Sequence, residues 1–348
     1  MKSFAVYALT APGASLAARI ARDLPSARAE LFLPGRLCPE FEGAAQPFEK
    51  LGTALAENFG RFSGHIVVGA TGLVVRLIAP LLVSKKDDPA VVVLGQDGRF
   101  VVSLLSGHLG GGNSLAQEVA RLTGGQAVVS TATDIAGCPA LEVLARDLNM
   151  EIDDFSRLAA VSRSLVEGTR VKVHDPHLML APNLAEWPGL FEINGPPPAE
   201  GEPHIRVDFQ TAPEDAAALT LRPRVLALGL GCHRGIDRAE VEELIALSLA
   251  EAFLSPKSVS ILATVETRSE EPAFLEISRN MNRPLKIFTK AELSRVNTPN
   301  PSSKVLERIG VASVCEAAAM LAARADRLKI SKRKSARATL AAALSVWR

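Results

Sequence analysis

The segment SGHLGGGN, residues 106–113, concentrates residue types that could carry out chemistry. It directly follows the apolar run FVVSLL (100–105), and the residues after it have helical spacing, so the pattern predicts a strand, a glycine-rich turn and a helix. An imidazole in such a turn can exchange a proton near neutral pH, and the N–H groups at the start of the helix favour anions. We predict that His108 takes part in catalysis or ligand contact, with capping of a backbone group as the alternative.

Three further polar loops follow predicted strands. TAPG (10–13) follows SFAVYAL, GATG (69–72) follows HIVV, and TATD (131–134) follows QAVVS. Because the carboxyl ends of parallel strands gather at one edge of a doubly wound sheet, we expect these loops and SGHLGGGN to line one crevice. Asp134, at the end of TATD, either orients His108 or caps the following helix.

Three basic residues, Arg76, Lys85 and Lys86, lie between two predicted strands in RLIAPLLVSKKDDPAVVV. At a binding edge they would contact carboxylates or phosphates, the arginine through two parallel hydrogen bonds and the lysines as point charges. Otherwise they form a solvated face or a charged turn. The sequence leaves both interpretations open.

A second glycine-rich turn, GLGCHRG (229–235), ends another predicted buried strand. It places Cys232 and Arg234 at a strand end, before a helix for which Asp237 is the expected N-cap. Farther along, Glu271 in TVETRSEEP is either a carboxylate at a helix start, stabilised by the helix dipole, or an acid/base group. No further metal ligands accompany Cys232, so we expect no protein-bound metal.

The elements that position these turns define an α/β fold. Short β-rich runs alternate with helical patterns in residues 1–137, which predicts a doubly wound, mostly parallel sheet in this N-terminal domain. Residues 138–222 form a less regular middle or linker region, and residues 223–348 form a second, C-terminal α/β domain.

The composition argues against several classes of function. The 39 Lys and Arg residues nearly balance 38 Asp and Glu, so no overall field attracts nucleic acid or an anionic membrane. The sequence has no apolar run of about 18 residues, so no transmembrane helix is predicted. The four cysteines are widely spaced and form no CxxC pair, which is typical of reduced thiols and predicts a cytoplasmic location. The patterns GxGxxG and GxxxxGK[ST] are absent, which argues against the alternative of an enzyme that uses nucleotides or sugar phosphates.

Several ordered motifs resemble one known family. GATGLVVRLIAP, KKDDPAVVVL, SLLSGHLGGGNSLA and STATD resemble the N-terminal part of the cobalt-precorrin-5A hydrolases of anaerobic cobalamin biosynthesis. GLGCHRG, TVETRSEEP, PNPSSKVLERIGVASVCEAAAMLAA and TLAAAL resemble the C-terminal domain of the same family. The resemblance covers about residues 60–348 and is weakest in the middle.

This resemblance implies a reaction and its partners. Family members open the δ-lactone of cobalt-precorrin-5A and release acetaldehyde, which gives cobalt-precorrin-5B. The substrate carries its own cobalt, so no cofactor is expected. A transient hand-over of the intermediate with neighbouring pathway methyltransferases and a homodimer are further expectations. A carrier that binds tetrapyrrole intermediates without chemistry is the alternative function, although SGHLGG and STATD would be superfluous in it.

On this resemblance we assign roles as hypotheses. His108 is the base, Asp134 orients it, the N–H groups from Gly110 to Asn113 stabilise an oxyanion, and Glu271 is the second candidate for proton transfer. The residues expected to bind the substrate are Thr71, Gly72, Arg76, Lys85, Lys86, Ser106, Gly107, Gly110, Gly111, Gly112, Asn113, Thr131, Thr133, Gly231, Cys232, Arg234 and Arg268.

The chain departs from the family pattern at two positions. Arg268 stands where the family has a lysine three residues before the glutamate, here Glu271. This change argues against a covalent amine at position 268 but keeps a charge contact to carboxylates. Ser130 stands where we expect threonine in the STATD loop, and that substitution is mild.

Overall fold

The structure, a computed structural model, describes residues 2–24, 27–41, 43–84, 87–302, 307 and 310–347. The chain divides into two compact units, Met1–Val143 and Leu144–Arg348. Within the described residues, no helix is both long and apolar enough to cross a membrane.

The first unit contains a seven-stranded sheet flanked by helices. Its strands are β1 (Lys2–Ala8), β2 (Ala27–Pro34), β3 (Ala45–Phe48), β4 (Gly64–Val68), β5 (Ala90–Leu94), β6 (Phe100–Leu105) and β7 (Gln126–Val128), in the order β3-β2-β1-β4-β5-β6-β7. Its helices are α1 (Ala11–Asp23), α2 (Leu51–Asn58), α3 (Thr71–Ile78), α4 (Gly112–Thr123) and α5 (Ala132–Ile135), while α6 (Leu141–Asp147) spans the boundary between the units.

Both faces of this sheet are covered by helices, as a doubly wound sheet requires. Alternation along β1 sends Val6 to one face and Tyr7 to the other, because successive side chains of a strand point to opposite sides. Val6 belongs to the core that α1 and α4 complete, and Tyr7 to the core that α2 and α3 complete. The predicted α/β class and the mostly parallel N-terminal sheet are confirmed.

One prediction about this sheet is wrong. Strands β1 to β5 run parallel, but β6 is antiparallel to β5, and β7 is parallel to β6. The loops TAPG and GATG, after β1 and β4, therefore lie at one edge of the sheet. The loops SGHLGGGN and TATD, after β6 and β7, lie at the opposite edge. The four loops do not line one crevice.

A buried histidine in β4 makes the stability of the first unit depend on pH. His65 is completely buried, its ring is stacked on Tyr7 and Phe59 with centroids 5.9 and 5.4 Å away, and its Nε2 lies 3.2 Å from the Phe59 carbonyl oxygen. Burial is the main cause that lowers the pKa of His65 to about 4 from 6.5, and the Phe59 hydrogen bond opposes it. The folded state therefore holds the neutral imidazole.

We expect His65 to destabilise the fold in mild acid. Its folded-state pKa lies below its unfolded value, so the unfolded state gains the proton first; stability is full above pH 6.5 and is lost as the pH falls toward 4. The loss between pH 7 and pH 5 is about 2 kcal/mol. Urea unfolding of the wild type and of His65→Gln at both pH values measures it. An equal loss in the two proteins would exclude His65 as the source.

The second unit contains two five-stranded sheets. The central sheet consists of β8 (Met150–Ile152), β9 (Val171–His174), β10 (Phe191–Ile193), β11 (His204–Val207) and β12 (Ala218–Pro223), in the order β10-β9-β11-β12-β8. The C-terminal sheet consists of β13 (Leu226–Cys232), β14 (Val259–Val265), β15 (Leu285–Phe288), β16 (Ile330–Lys334) and β17 (Ala338–Leu344), in the order β15-β14-β13-β17-β16. In the central sheet the edge strand β8 runs antiparallel to β12. In the C-terminal sheet β17 runs antiparallel to both of its neighbours, β13 and β16.

Helices of the second unit connect and cover these strands. They are α7 (Leu158–Val166), α8 (Ala181–Leu184), α9 (Arg238–Glu251), α10 (Pro272–Asn280), α11 (Lys290–Ser294) and α12 (Val314–Ala323). Asp237 is the N-cap of α9 and accepts the N–H of Ala239 at 3.0 Å, as predicted. The middle region thus has a sheet of its own, and the ranges 1–137, 138–222 and 223–348 stay predictions of domain organisation.

Candidate active site

His108 lies between two carboxylates at the edge of the first sheet where β6 ends. Its Nδ1 is 2.8 Å from Oε1 of Glu142, and its Nε2 is 2.9 Å from Oδ2 of Asp134. The hydroxyl of Thr133 is a further 3.2 Å contact of Nε2. The loop that follows β6, the start of α5 and the first turn of α6 therefore meet on one imidazole.

This arrangement favours the protonated imidazole. The hydrogen bond to Glu142 is the largest cause that raises the pKa of His108; partial burial opposes it, and Asp134 adds to the rise. An ionised carboxylate is only an acceptor, so each of the two needs an N–H from the ring. Only the imidazolium supplies both N–H groups at once.

Asn113 connects His108 to the strands and loops around it. This side chain is buried, and its Oδ1 accepts the hydroxyl of Ser103 at 2.7 Å. Its Nδ2 lies 3.1 Å from Oγ1 of Thr131 and 3.0 Å from Oδ2 of Asp134. The oxygen of Asp134 that contacts His108 is thus held by a second donor, which limits where the carboxylate can move.

The backbone of the loop is tightly folded on itself. Ser106 has a left-handed φ of 53°, which is uncommon outside glycine, and its hydroxyl donates to the carbonyl of Asp88 at 2.8 Å. A Cβ on Gly107 would lie 2.6 Å from Oδ1 of Asn113. Glycine at 107 is therefore needed for Asn113 to approach the loop, which gives this residue a packing role beside the predicted substrate contact.

The N–H groups proposed for an oxyanion already have partners in the loop. Those of Gly111, Gly112 and Asn113 donate to the carbonyl oxygens of residues 108, 106 and 107 at 2.9, 3.0 and 2.9 Å. These bonds close the turn and start α4. An oxyanion could use these three N–H groups only if the bonds that close the turn were broken, so the predicted oxyanion role is not supported.

Other predicted residues of the first unit lie apart from His108. Thr71 and Gly72 begin α3 at the opposite edge of the sheet, and Arg76 on the same helix points its Nη1 toward the Gly72 carbonyl at 3.4 Å. Lys85 and Lys86 lie outside the described residues. The structure thus brings His108, Asn113, Thr131, Thr133 and Asp134 together and separates them from the GATG loop.

In the second unit, the predicted residues gather where β13 and β14 end. Glu271 is buried, and both of its carboxylate oxygens accept the N–H of Gly235, at 3.1 and 3.3 Å. Arg268 donates from Nε to the carbonyl of Cys232 at 3.0 Å. Glu271 precedes α10 as its N-cap residue, so its observed contacts hold the GCHRG turn in place.

Cys232 is a neutral thiol in this second cluster. Burial is the main cause that raises its pKa to about 11, and the charge of Glu271 adds to the rise. Gly231 precedes it as a buried residue of β13, while Arg234 is exposed at the tip of the turn. Arg234 is exposed and Arg268 is half-buried, and guanidinium groups suit an anionic ligand.

Glu142 is a residue of this site that the sequence did not reveal. It is 34 positions from His108 and lies in PALEVLARDL, within the segment that we predicted as a middle or linker region. The sequence signal that could have identified Glu142 is its position on the apolar face of a short amphipathic helix. A carboxylate buried on such a face requires a partner.

No group of three or more His, Cys, Asp and Glu side chains among the described residues has the arrangement to hold a metal ion. The expectation that the protein itself binds neither metal nor cofactor stays a prediction.

An imidazole held between two carboxylates at a sheet edge is an arrangement typical of acid–base sites. Three family models match successive parts of the chain: Cobalamin synthesis G N-terminal over residues 53–134, Cobalamin biosynthesis central region over 139–223 and Cobalamin synthesis G C-terminus over 226–343. The chain belongs to the cobalt-precorrin-5A hydrolase family. It is a hydrolase, and its role lies in cobalamin biosynthesis.

Individual relatives support this membership. A protein named Cobalt-precorrin-5A hydrolase from Priestia megaterium is 31% identical, over 98% of this chain and 94% of its own length. Another of that name from Salmonella typhimurium is 31% identical, over 92% of each chain. Protein CobE from a Sinorhizobium species is 38% identical over 34% of this chain and 79% of its own length.

Proposed function

We propose that the chain hydrolyses cobalt-precorrin-5A to cobalt-precorrin-5B with release of acetaldehyde. The observation that carries this proposal is the imidazole of His108, held by two carboxylates at 2.8 and 2.9 Å, in a chain 31% identical to proteins named for this reaction. The resemblance supplies the substrate, and the contacts of His108 supply a means of moving protons.

The reaction requires three proton transfers in sequence. Water adds to the lactone carbonyl as a base takes its proton, and the tetrahedral intermediate collapses with release and protonation of the ring oxygen. The freed hydroxyl then loses its proton, its electron pair forms the carbonyl of acetaldehyde, and the electron pair of the broken C–C bond passes into the macrocycle. A group that accepts, returns and accepts a proton suits this order.

His108 is the group that we assign to these transfers. Its Nε2 lies beside Asp134, whose side chain is 37% exposed, so a ligand that approaches this side of the ring meets Asp134 first. Displacement of Asp134 from Nε2 by the substrate would also break the hydrogen bond that Asn113 donates to the same oxygen. It would lower the pKa of His108 and release a neutral base, because Asp134 raises that pKa. Glu271 remains the second candidate for proton transfer.

The substrate is a macrocycle with many acetate and propionate groups, so its recognition needs cations and hydrogen-bond donors. Arg234 and Arg268 offer guanidinium groups in the second unit. Arg76 lies on α3, apart from His108, so we do not assign it to the ligand that contacts that imidazole. The cobalt belongs to the substrate, and we propose that the protein needs no cofactor. Hand-over to pathway methyltransferases, a homodimer and a cytoplasmic location complete the proposal.

Anaerobic incubation of the purified chain with cobalt-precorrin-5A tests the proposed function. We expect acetaldehyde, trapped as a hydrazone, in equal amount to the macrocycle whose mass changes to that of cobalt-precorrin-5B. Boiled protein provides the background of spontaneous ring opening. Tight binding of the macrocycle without acetaldehyde would replace the hydrolase with the carrier, the alternative function for this chain.

A further inference from the structure

The two carboxylates that hold His108 differ in their access to solvent. The side chain of Glu142 is 5% exposed, whereas that of Asp134 is 37% exposed. Glu142 lies in the first turn of α6, and its neighbours Leu141 and Ala145 on that helix are buried. A ligand that displaces Asp134 would therefore meet the imidazole from the Nε2 side, while Glu142 and the protein around it cover the Nδ1 side.

We propose that Glu142 is the positioning residue of this site, whose buried carboxylate holds His108 by Nδ1 and keeps Nε2 directed at the reacting atoms. The inference rests on the proposed function, because it assigns a part of the same acid–base site. Asp134 then does not orient His108, although the sequence led us to expect that role as one of two. Its exposed carboxylate instead faces the substrate beside Nε2.

The reason lies in the tautomer that each carboxylate selects. A neutral imidazole carries one N–H and one lone pair, and a carboxylate can only accept. With Glu142 as acceptor, the proton stays on Nδ1 and Nε2 presents its lone pair, which is the form that a general base requires. In the other tautomer the lone pair of Nδ1 would face the carboxylate of Glu142, which is 5% exposed and cannot turn to solvent. In the tautomer proposed here the lone pair of Nε2 faces the carboxylate of Asp134, which is 37% exposed and can be displaced by the substrate.

The charge of Glu142 also sets how strongly His108 holds its proton. Of the described residues, the titratable groups in contact with His108 are Glu142 and Asp134. The hydrogen bond to Glu142 is the larger of their contributions to the raised pKa of His108. Removal of the Glu142 charge should therefore lower that pKa more than removal of the Asp134 charge.

A histidine titration tests this positioning role without turnover. The full chain is labelled with ¹³C-histidine, and the His108 signal is assigned by its absence in His108→Ala. We expect His108 to titrate at lower pH in Glu142→Gln than in the wild type, and at an intermediate or restored pH in Glu142→Asp, which keeps the charge. Glu57→Gln, an exposed position of α2, is the matched control and should leave the titration unchanged.

Kinetics separate positioning from a merely structural role. In Glu142→Gln we expect kcat to fall about 100-fold, as for loss of general acid–base assistance, with KM changed less than about twofold and the acid limb of the pH profile moved to lower pH. An unchanged His108 titration in Glu142→Gln would overturn the proposal even if activity fell. If the wild type releases no acetaldehyde, the proposed function fails, but the titration of His108 still decides whether Glu142 positions that residue. If Glu142→Gln does not fold, Glu142→Asp is the second variant for the titration.

Discussion

Replacement of His108 with alanine is expected to reduce acetaldehyde release by about 1,000-fold, within the range of 100 to 10,000 for general acid–base catalysis. An imidazole can both accept and return a proton in general acid–base catalysis, and both nitrogens of His108 contact carboxylates. The variant leaves Asp134 and Glu142 in place, but a carboxylate at that position is a weaker base near neutral pH. Substrate affinity should be retained, because the guanidinium groups that we assign to carboxylate binding are unchanged.

Single-turnover assays and equilibrium binding together decide this prediction. The rate of acetaldehyde formation measures catalysis, and the change in absorbance of the macrocycle on titration with protein measures affinity. His174→Ala, at an exposed position of β9, controls for the loss of an imidazole elsewhere. Turnover close to the wild type with weakened binding would make His108 a binding residue and return the proton transfers to Glu271.

The direction of β6 shows how far the sequence could predict the sheet. The alternation of strands and helices gave the α/β class, because each apolar run is long enough for a buried strand. Between β5 and β6, however, only residues 95–99 connect the strands, and a parallel crossover needs a dozen residues or more. The Asp97-Gly98 pair in this connection is a hairpin signal, so the reversal that moved SGHLGGGN to the opposite edge was readable from the length of the connection.

The partners of His108 were predictable in part. The sequence indicated Asp134 because TATD follows the next predicted strand along the chain after SGHLGGGN. In the structure, Oδ2 of Asp134 lies 2.9 Å from Nε2 of His108. Glu142 could not be assigned in this way, since its contact with Nδ1 depends on where α6 docks. The docking of a short helix is decided by burial of residues such as Leu141 and Ala145, which periodicity indicates, but not by any local pattern that names the partner.

The backbone roles of the glycines were also beyond the sequence. A glycine-rich turn before a helix predicts free N–H groups, yet the turn closes by donating those of Gly111, Gly112 and Asn113 to its own carbonyl groups. A sequence pattern identifies such a turn without its internal hydrogen bonds. The same distinction applies to GLGCHRG, because Gly229 of this motif lies within β13 and allows α12 to pack closely against the strand.

Gly229→Ala is expected to destabilise the second unit by about 3 kcal/mol, at the upper end of the usual range for overpacking. Gly229 lies in β13 against α12, and an added Cβ would meet the backbone carbonyl of Cys315 and lie 2.6 Å from the N of Ala319. The obstacle is main chain rather than a flexible side chain, so the strand and the helix must move apart. Because Ala318 and Ala319 are completely buried, that movement opens the core on the same face.

Thermal unfolding followed by circular dichroism measures this effect, with a fall in Tm of roughly 10 °C for a unit of this size. Gly35→Ala is the matched control, since a Cβ there meets no atom within 4 Å, and it should shift Tm only slightly. Because β13 ends in the GCHRG turn that Glu271 holds, the folded fraction of Gly229→Ala should also bind the substrate more weakly than the control. A Tm equal to that of the wild type would contradict the prediction, because it would mean that α12 and β13 leave room for a methyl group at position 229.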